Sequence, residues 1–166
     1  MPLQHRKPMR LAGYDYSNVE RACFITIHAK VKQLTADSPL RHEAPFVHDS
    51  LARQIIGALH YYEQHRRLIL FSYSLMPNHL HVFAAASPQT GDLIKLFFRF
   101  KSYTTRCAWG HGVIGGLWLR DCYDHIERKT NSDAQRITAY ILNNPVKAGL
   151  VARWEDHPYT RLICEI

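Results

Sequence analysis

Between Leu68 and Ala84 two apolar runs, LILFSYSL (68–75) and NHLHVFA (78–84), flank the dipeptide Met76-Pro77. Each run is of strand length, and a proline between them can neither continue a helix nor donate to a central ladder. The chain has to turn there and pair with itself, so a tight antiparallel hairpin is expected. A hairpin this apolar needs further strands beside it and a helical layer over it. The rest of the sequence supplies candidates for both.

Arg21 to Lys30 alternates Cys23, Ile25 and Ile27 against Phe24, Thr26 and His28, the period of a strand. Gln33 to Pro45, with two prolines and small polar residues, reads as a loop. Leu51, Ile55, Leu59 and Tyr62 recur at helical spacing from Asp49 to His65, with Asp49 or Ser50 as N-cap. After a turn at Ser87–Gly91, Asp92 to Ala108 is a second helix, with Leu93, Phe97, Phe100 and Thr104 on one face. Gly110 to Gly116 reads as a loop, and Leu117 to Arg128 as a strand with irregular ends. Ser132 opens a capping box with Gln135, and the helix it starts is expected to stop near Asn143, because Pro145 follows. The order β-α-β-β-α-β-α predicts an α+β fold, an antiparallel sheet with helices packed on it in a ferredoxin-like, split β-α-β arrangement.

The 166 residues suit one domain spanning 1–166, with 1–13 as a basic N-terminal arm and 152–166 as a C-terminal extension. Four cysteines (Cys23, Cys107, Cys122 and Cys164) show no C-x-x-C spacing, and no apolar run has the length of a membrane span. Reduced thiols and a soluble cytoplasmic protein are the expectation. Lys and Arg exceed Asp and Glu by 21 to 14, a net charge of +7, which favours a polyanionic partner.

Three features bear chemistry. His79 and His81 stand two apart on a strand and project to one face, where a shared metal ion would satisfy both rings. Two half-exposed histidines would show the same spacing. Tyr140 and Asn144 lie one helical turn apart and share a face. Spacing alone also allows a core tyrosine and a helix C-cap before proline. Lys95, Arg99 and Arg106 form a basic stripe on the second helix, and Arg120 and Lys147 follow. Such residues suit phosphate contacts, although a solvated face would look the same. Trp109, Trp118 and Tyr123 are able to stack bases or to fill a core.

In order, RLAGYDYS (10–17) with FITI (24–27), LMPNHLHVF (75–83), LW…YDHIER (117–128) and YILNNPVKAGLV (140–151) resemble the REP-associated tyrosine transposases, a branch of the single-tyrosine HUH superfamily. The resemblance runs from Arg10 to Val151. It implies that His79 and His81 are the HUH metal pair, Asn144 a further ligand, and Tyr140 the nucleophile. Tyr103, which lacks the following x-x-x-Asn pattern, ranks below Tyr140. His125 fits the family's YxH stretch without an assigned role, and Glu127 departs from the apolar residue more often found there.

The implied activity is cleavage and rejoining of single-stranded DNA at hairpin sequences through a 5′-phosphotyrosine, assisted by Mg²⁺ or Mn²⁺. The implied partner is hairpin-bearing single-stranded DNA, with no membrane, and the chain acts as a monomer or homodimer. The N-terminal arm, Arg10 and the basic stripe are the expected backbone contacts. Two rivals remain at this point: a catalytically silent nucleic-acid-binding module, and a zinc hydrolase. No H-E-x-x-H or H-x-E…C-x-x-C pattern occurs for the latter.

Overall fold

The computed structural model describes residues 22–120, 123–126 and 131–164. Arg10, the basic arm, Cys122, Glu127, Arg128 and Lys129 lie outside the described residues.

In chain order the strands are β1 (Ala22–His28), β2 (Gln33–Leu34), β3 (Leu68–Met76), β4 (His79–Ala86), β5 (Val113–Ile114), β6 (Tyr123–Ile126) and β7 (Thr160–Leu162). The helices are α1 (Asp49–Gln64), α2 (Leu93–Trp109) and α3 (Asn131–Lys147). The main sheet is five-stranded and antiparallel, in the order β6-β1-β4-β3-β7. Its first four strands reproduce the split β-α-β order, so the α+β ferredoxin-like expectation holds.

The sheet is sandwiched. Ile25, Ile27, Leu80 and Val82 point to one side, where they meet Leu51, Ile55 and Leu59 of α1 and Phe97 and Phe100 of α2. Alternation sends Phe24 and Phe83 to the other side, against Ala134, Ile137 and Ile141 of α3. Burying one Ile or Phe fully stabilises by about 1.5–3 kcal/mol, so α3 is held mainly by this small apolar seam. A register shift between Leu70 and Ser72 inserts Phe71, which joins the seam with its ring 5.2 Å from Phe83.

The predicted hairpin is present, with Pro77 and Asn78 as its two-residue turn and Met76 opposite His79. Its tip is tied down, since Phe46 N–H donates to Pro77 O (3.0 Å) and Ala29 N–H to Asn78 O (2.8 Å). Asp92 caps α2 by accepting from the Lys95 N–H at 3.1 Å.

Several boundaries differ from expectation. Pro145 does not end α3, which runs on to Lys147. The stop is at Gly149, with φ +68°, where Leu150 N–H reaches Pro145 O and Gly149 N–H reaches Val146 O, both at 2.9 Å. That is a Schellman closure, and glycine takes its left-handed position without a Cβ clash. At the other end α3 opens at Asn131, so Ser132 lies within its first turn rather than at the cap.

Of the strand expected over Leu117–Arg128, the described residues show Tyr123–Ile126 and one bridge, Ala29 to Trp118. The segments read as loops at 33–45 and 110–116 each contribute two residues to a small antiparallel ladder, β2 with β5. Thr160–Leu162, in the stretch expected as a C-terminal extension, pairs with β3 as the sheet's fifth strand. No helix among the described residues is long and apolar enough to cross a membrane.

Candidate active site and metal centre

The turn Pro77-Asn78 starts β4 so that His79, His81 and Phe83 face α3 while Leu80 and Val82 enter the α1/α2 core. The two imidazoles meet edge to face at 4.6 Å between centroids, with their Nε2 atoms 3.1 Å apart. Each Nδ1 has a separate partner. His79 Nδ1–H donates to Asn78 Oδ1 (2.7 Å), and His81 Nδ1 lies 2.9 Å from the hydroxyl of Thr26, its register partner on β1.

Burial, and secondly the charge of His28, holds His79 down at about 4. His81 is held at about 3 by burial, then by His79 and His28. Both rings are therefore neutral at pH 7, each with a lone pair to offer.

A divalent ion fits this pair. Two imidazole nitrogens at about 2.1 Å from one ion, subtending 90–110°, lie about 3.0–3.4 Å apart. The observed 3.1 Å falls in that interval. Metal-bound histidines ordinarily donate their second N–H to an oxygen, and Asn78 and Thr26 provide those oxygens. Among the described residues no group of three or more His, Cys, Asp or Glu side chains is placed to hold a metal, and a donor of another kind is one source of a third ligand. An amide oxygen such as that of Asn144 is one. Its amide nitrogen already donates to Tyr140 O (2.8 Å), which ties the side chain to the turn carrying the tyrosine.

The Tyr140 ring lies 5.7 Å from the His81 ring and 5.8 Å from the Phe24 ring, both edge to face. It is 43% exposed, so it is reachable from solvent while its ring is propped by Phe24. Lys147, two turns on, sets its ammonium 5.2 Å from the ring centroid.

His79, His81 and Tyr140 are thus brought together, with Asn144 and Lys147 on the same helix as the tyrosine. Tyr103 is not. It lines a groove with Gln54, Gly57, Tyr61 and Tyr62 between α1 and α2, on the opposite side of the sheet. Lys95, Arg99 and Arg106, exposed on α2, are likewise remote from Tyr140, and Arg120 is exposed beyond the β5 loop. His125 stands opposite Phe24 on β6.

Sequence reasoning passed over Thr26, Asn78, Phe24 and His28 as parts of the site. His28 stands opposite His79, with rings 5.1 Å apart. The signal was available for Thr26 and His28: with Phe24 they are the polar-face members of the β1 alternation.

The site is thus a histidine pair on β4 of a split β-α-β sheet, with the tyrosine-bearing α3 laid over it. The fold is that of the REP-associated tyrosine transposase solved bound to a REP hairpin, with a TM-score of 0.64 and 17% sequence identity over 96% of this chain and 82% of that one. In sequence, an uncharacterised protein of Haemophilus influenzae is 27% identical over 169 aligned positions, covering 87% of this chain and 90% of that one. No family model matches the sequence.

Proposed function

We propose that this chain is a transposase-type nuclease that cleaves and rejoins single-stranded DNA at hairpin sequences, with Tyr140 as nucleophile and His79, His81 and Asn144 holding a divalent cation, Mg²⁺ or Mn²⁺. The observation that carries the reading is the convergence of an exposed tyrosine on a neutral histidine pair whose nitrogens have the spacing of two ligands. The solved relative of the same fold, bound to its REP hairpin, supports a DNA substrate.

The Tyr140 phenolic oxygen attacks the scissile phosphorus and gives up its proton to solvent. A P–O bond to the tyrosine forms, the P–O bond to the 3′ oxygen breaks, and that oxygen leaves as a 3′-hydroxyl after taking up a proton. The product is a 5′-phosphotyrosine. Because the phosphodiester count is unchanged, a second 3′-hydroxyl can reverse the step and join strands. When bound, the cation supplies charge neutralisation at the scissile phosphate. Phe24 fixes the direction of the Tyr140 ring, and Lys147 brings positive charge to the side from which an anionic backbone approaches. Asn78 Oδ1 holds His79 in the tautomer that presents Nε2, and the Thr26 hydroxyl can accept the Nδ1 proton of His81 when its Nε2 is a ligand.

The test is covalent trapping. A 3′-labelled single-stranded hairpin is incubated with protein and Mn²⁺ or Mg²⁺ and resolved on a denaturing gel. Labelled protein that disappears with Tyr140→Phe and with EDTA is the expected result, while Tyr103→Phe retains it. An adduct that survives Tyr140→Phe moves the nucleophile elsewhere. DNA retention without any adduct and without need for a metal makes the chain a silent binding module.

A further inference from the structure

On the side of the sheet away from Tyr140, α2 and the segment 116–120 enclose a cleft of ≈ 460 Å³. Two of its lining residues are large aromatics left in the open, Phe98 at 47% and Trp109 at 54% exposure. They lie eleven positions apart on one helix face, so about 16 Å separates them along the axis. Arg106 and Arg120 stand on the same cleft, both exposed. Across its 17 residues α2 carries four cations (Lys95, Arg99, Lys101 and Arg106) and no carboxylate.

The cleft is built rather than incidental. The Trp109 indole N–H donates to Gly115 O at 2.7 Å, which fixes the ring. Lys101 is 9% exposed and donates to Leu119 O (2.6 Å) and Arg120 O (2.9 Å), clamping the second wall to the helix. That wall also leads to the metal pair. Leu119 N–H donates to His28 O at 2.8 Å, and His28 is the residue opposite His79. Cleft and histidines therefore occupy the same end of the sheet, joined through the last residues of β1.

We propose that this cleft is a second nucleic-acid site. It takes a short single-stranded run, with bases stacked on Phe98 and Trp109 and backbone phosphates on Arg106 and Arg120, and so anchors the strand that flanks the cleavage point. The occupant follows from complementarity. Exposed π faces with guanidinium groups and no acid among the described lining residues match unpaired bases on a polyanion. A duplex keeps its bases stacked on one another and offers none to the rings. The inference rests on the reading that the chain works on single-stranded DNA.

The experiment uses the full chain in EDTA, so that binding is read without cleavage. Anisotropy of a fluorescein-labelled mixed-sequence single-stranded oligonucleotide is titrated against wild type, Phe98→Ala, Phe98→Tyr, Trp109→Ala and Tyr103→Phe, each checked for an unchanged melting curve. Loss of a stacking wall weakens affinity by about fivefold or more. Phe98→Ala and Trp109→Ala are expected to show that loss, while Phe98→Tyr and Tyr103→Phe, the latter in the separate groove between α1 and α2, bind as wild type does.

Alanine variants that bind as tightly as wild type overturn the cleft and leave the transposase reading intact. Displacement of the oligonucleotide by an acidic peptide at lower concentration than by unlabelled DNA overturns it in favour of a protein partner. Aromatic-dependent binding with no covalent adduct in the trapping assay keeps the cleft and removes the transposase reading.

Discussion

Thr26 and His81 stand directly opposite each other on β1 and β4, with Thr26 Oγ1 2.9 Å from His81 Nδ1. A hydroxyl is the one small partner that serves this ring in both of its states, because it donates and accepts. With an ion on Nε2 the proton sits on Nδ1 and the threonine accepts. Without an ion, His81 can carry its proton on Nε2 and pass it toward His79 Nε2, 3.1 Å away, while the threonine donates to Nδ1. The same strand pair thus accommodates metal-free and metal-bound histidines with no backbone change.

Thr26→Val keeps the shape of that side chain and removes its oxygen. Thr26 is buried at 8% exposure, so water does not replace the lost partner. Leaving one buried polar group unpaired costs about 1–3 kcal/mol, and loss of an outer partner of a ligand lowers metal affinity about 10- to 100-fold. Thr26→Ser retains both. Urea unfolding and Mn²⁺ titration by calorimetry read the two quantities separately. Equal Mn²⁺ affinity in the valine variant would show that Thr26 does not orient His81.

The depressed histidines make the metal-free protein acid-sensitive. An unfolded histidine protonates near pH 6.5, whereas folded His79 and His81 resist until about 4 and about 3. Between those values the unfolded chain binds more protons, so stability is full above pH 6.5 and falls as pH drops. For His81 alone the slope is about 1.4 kcal/mol per pH unit once pH is below 6. Urea midpoints in EDTA are expected to decrease from pH 7 to pH 5, and His81→Asn to flatten part of that slope. Identical slopes in the two proteins sink the assignment.

Local periodicity carried the elements with many residues. The hairpin, α1 and α2 were legible because apolar spacing repeats over two turns or more, and the common face of His79 and His81 follows from strand alternation alone. Two-residue β2 and β5 have no period to read, and their pairing joins Gln33 to Ile114, far apart in sequence. Pro145 was misleading for a local reason: it sits late in α3, and the Schellman closure at Gly149 settles the last carbonyls. The partners of the site, Thr26 against His81 and Lys147 over Tyr140, are products of register and of how α3 lies on the sheet. The sequence holds those residues, but their meeting is a tertiary fact.

Gly112 and Gly115 separate backbone strain from crowding, because both adopt φ +86°. At Gly115 an added Cβ would meet nothing within 4 Å, so Gly115→Ala carries only the left-handed penalty, about 1 kcal/mol. At Gly112 the same Cβ would stand 2.3 Å from Thr35 Oγ1 and 2.7 Å from Ser38 Cβ, and Gly112 O accepts from Thr35 N–H at 2.8 Å. Relieving the clash means moving the β5 approach off the β2 loop, which loosens the β2–β5 ladder. Gly112→Ala is therefore expected to destabilise by about 2–4 kcal/mol, clearly more than Gly115→Ala. Hydrogen exchange then shows faster amides at Leu34, Thr35 and Val113 in the Gly112 variant only. Equal losses at the two glycines would mean that the loop yields freely, and that the ladder does not hold segment 110–116 in place.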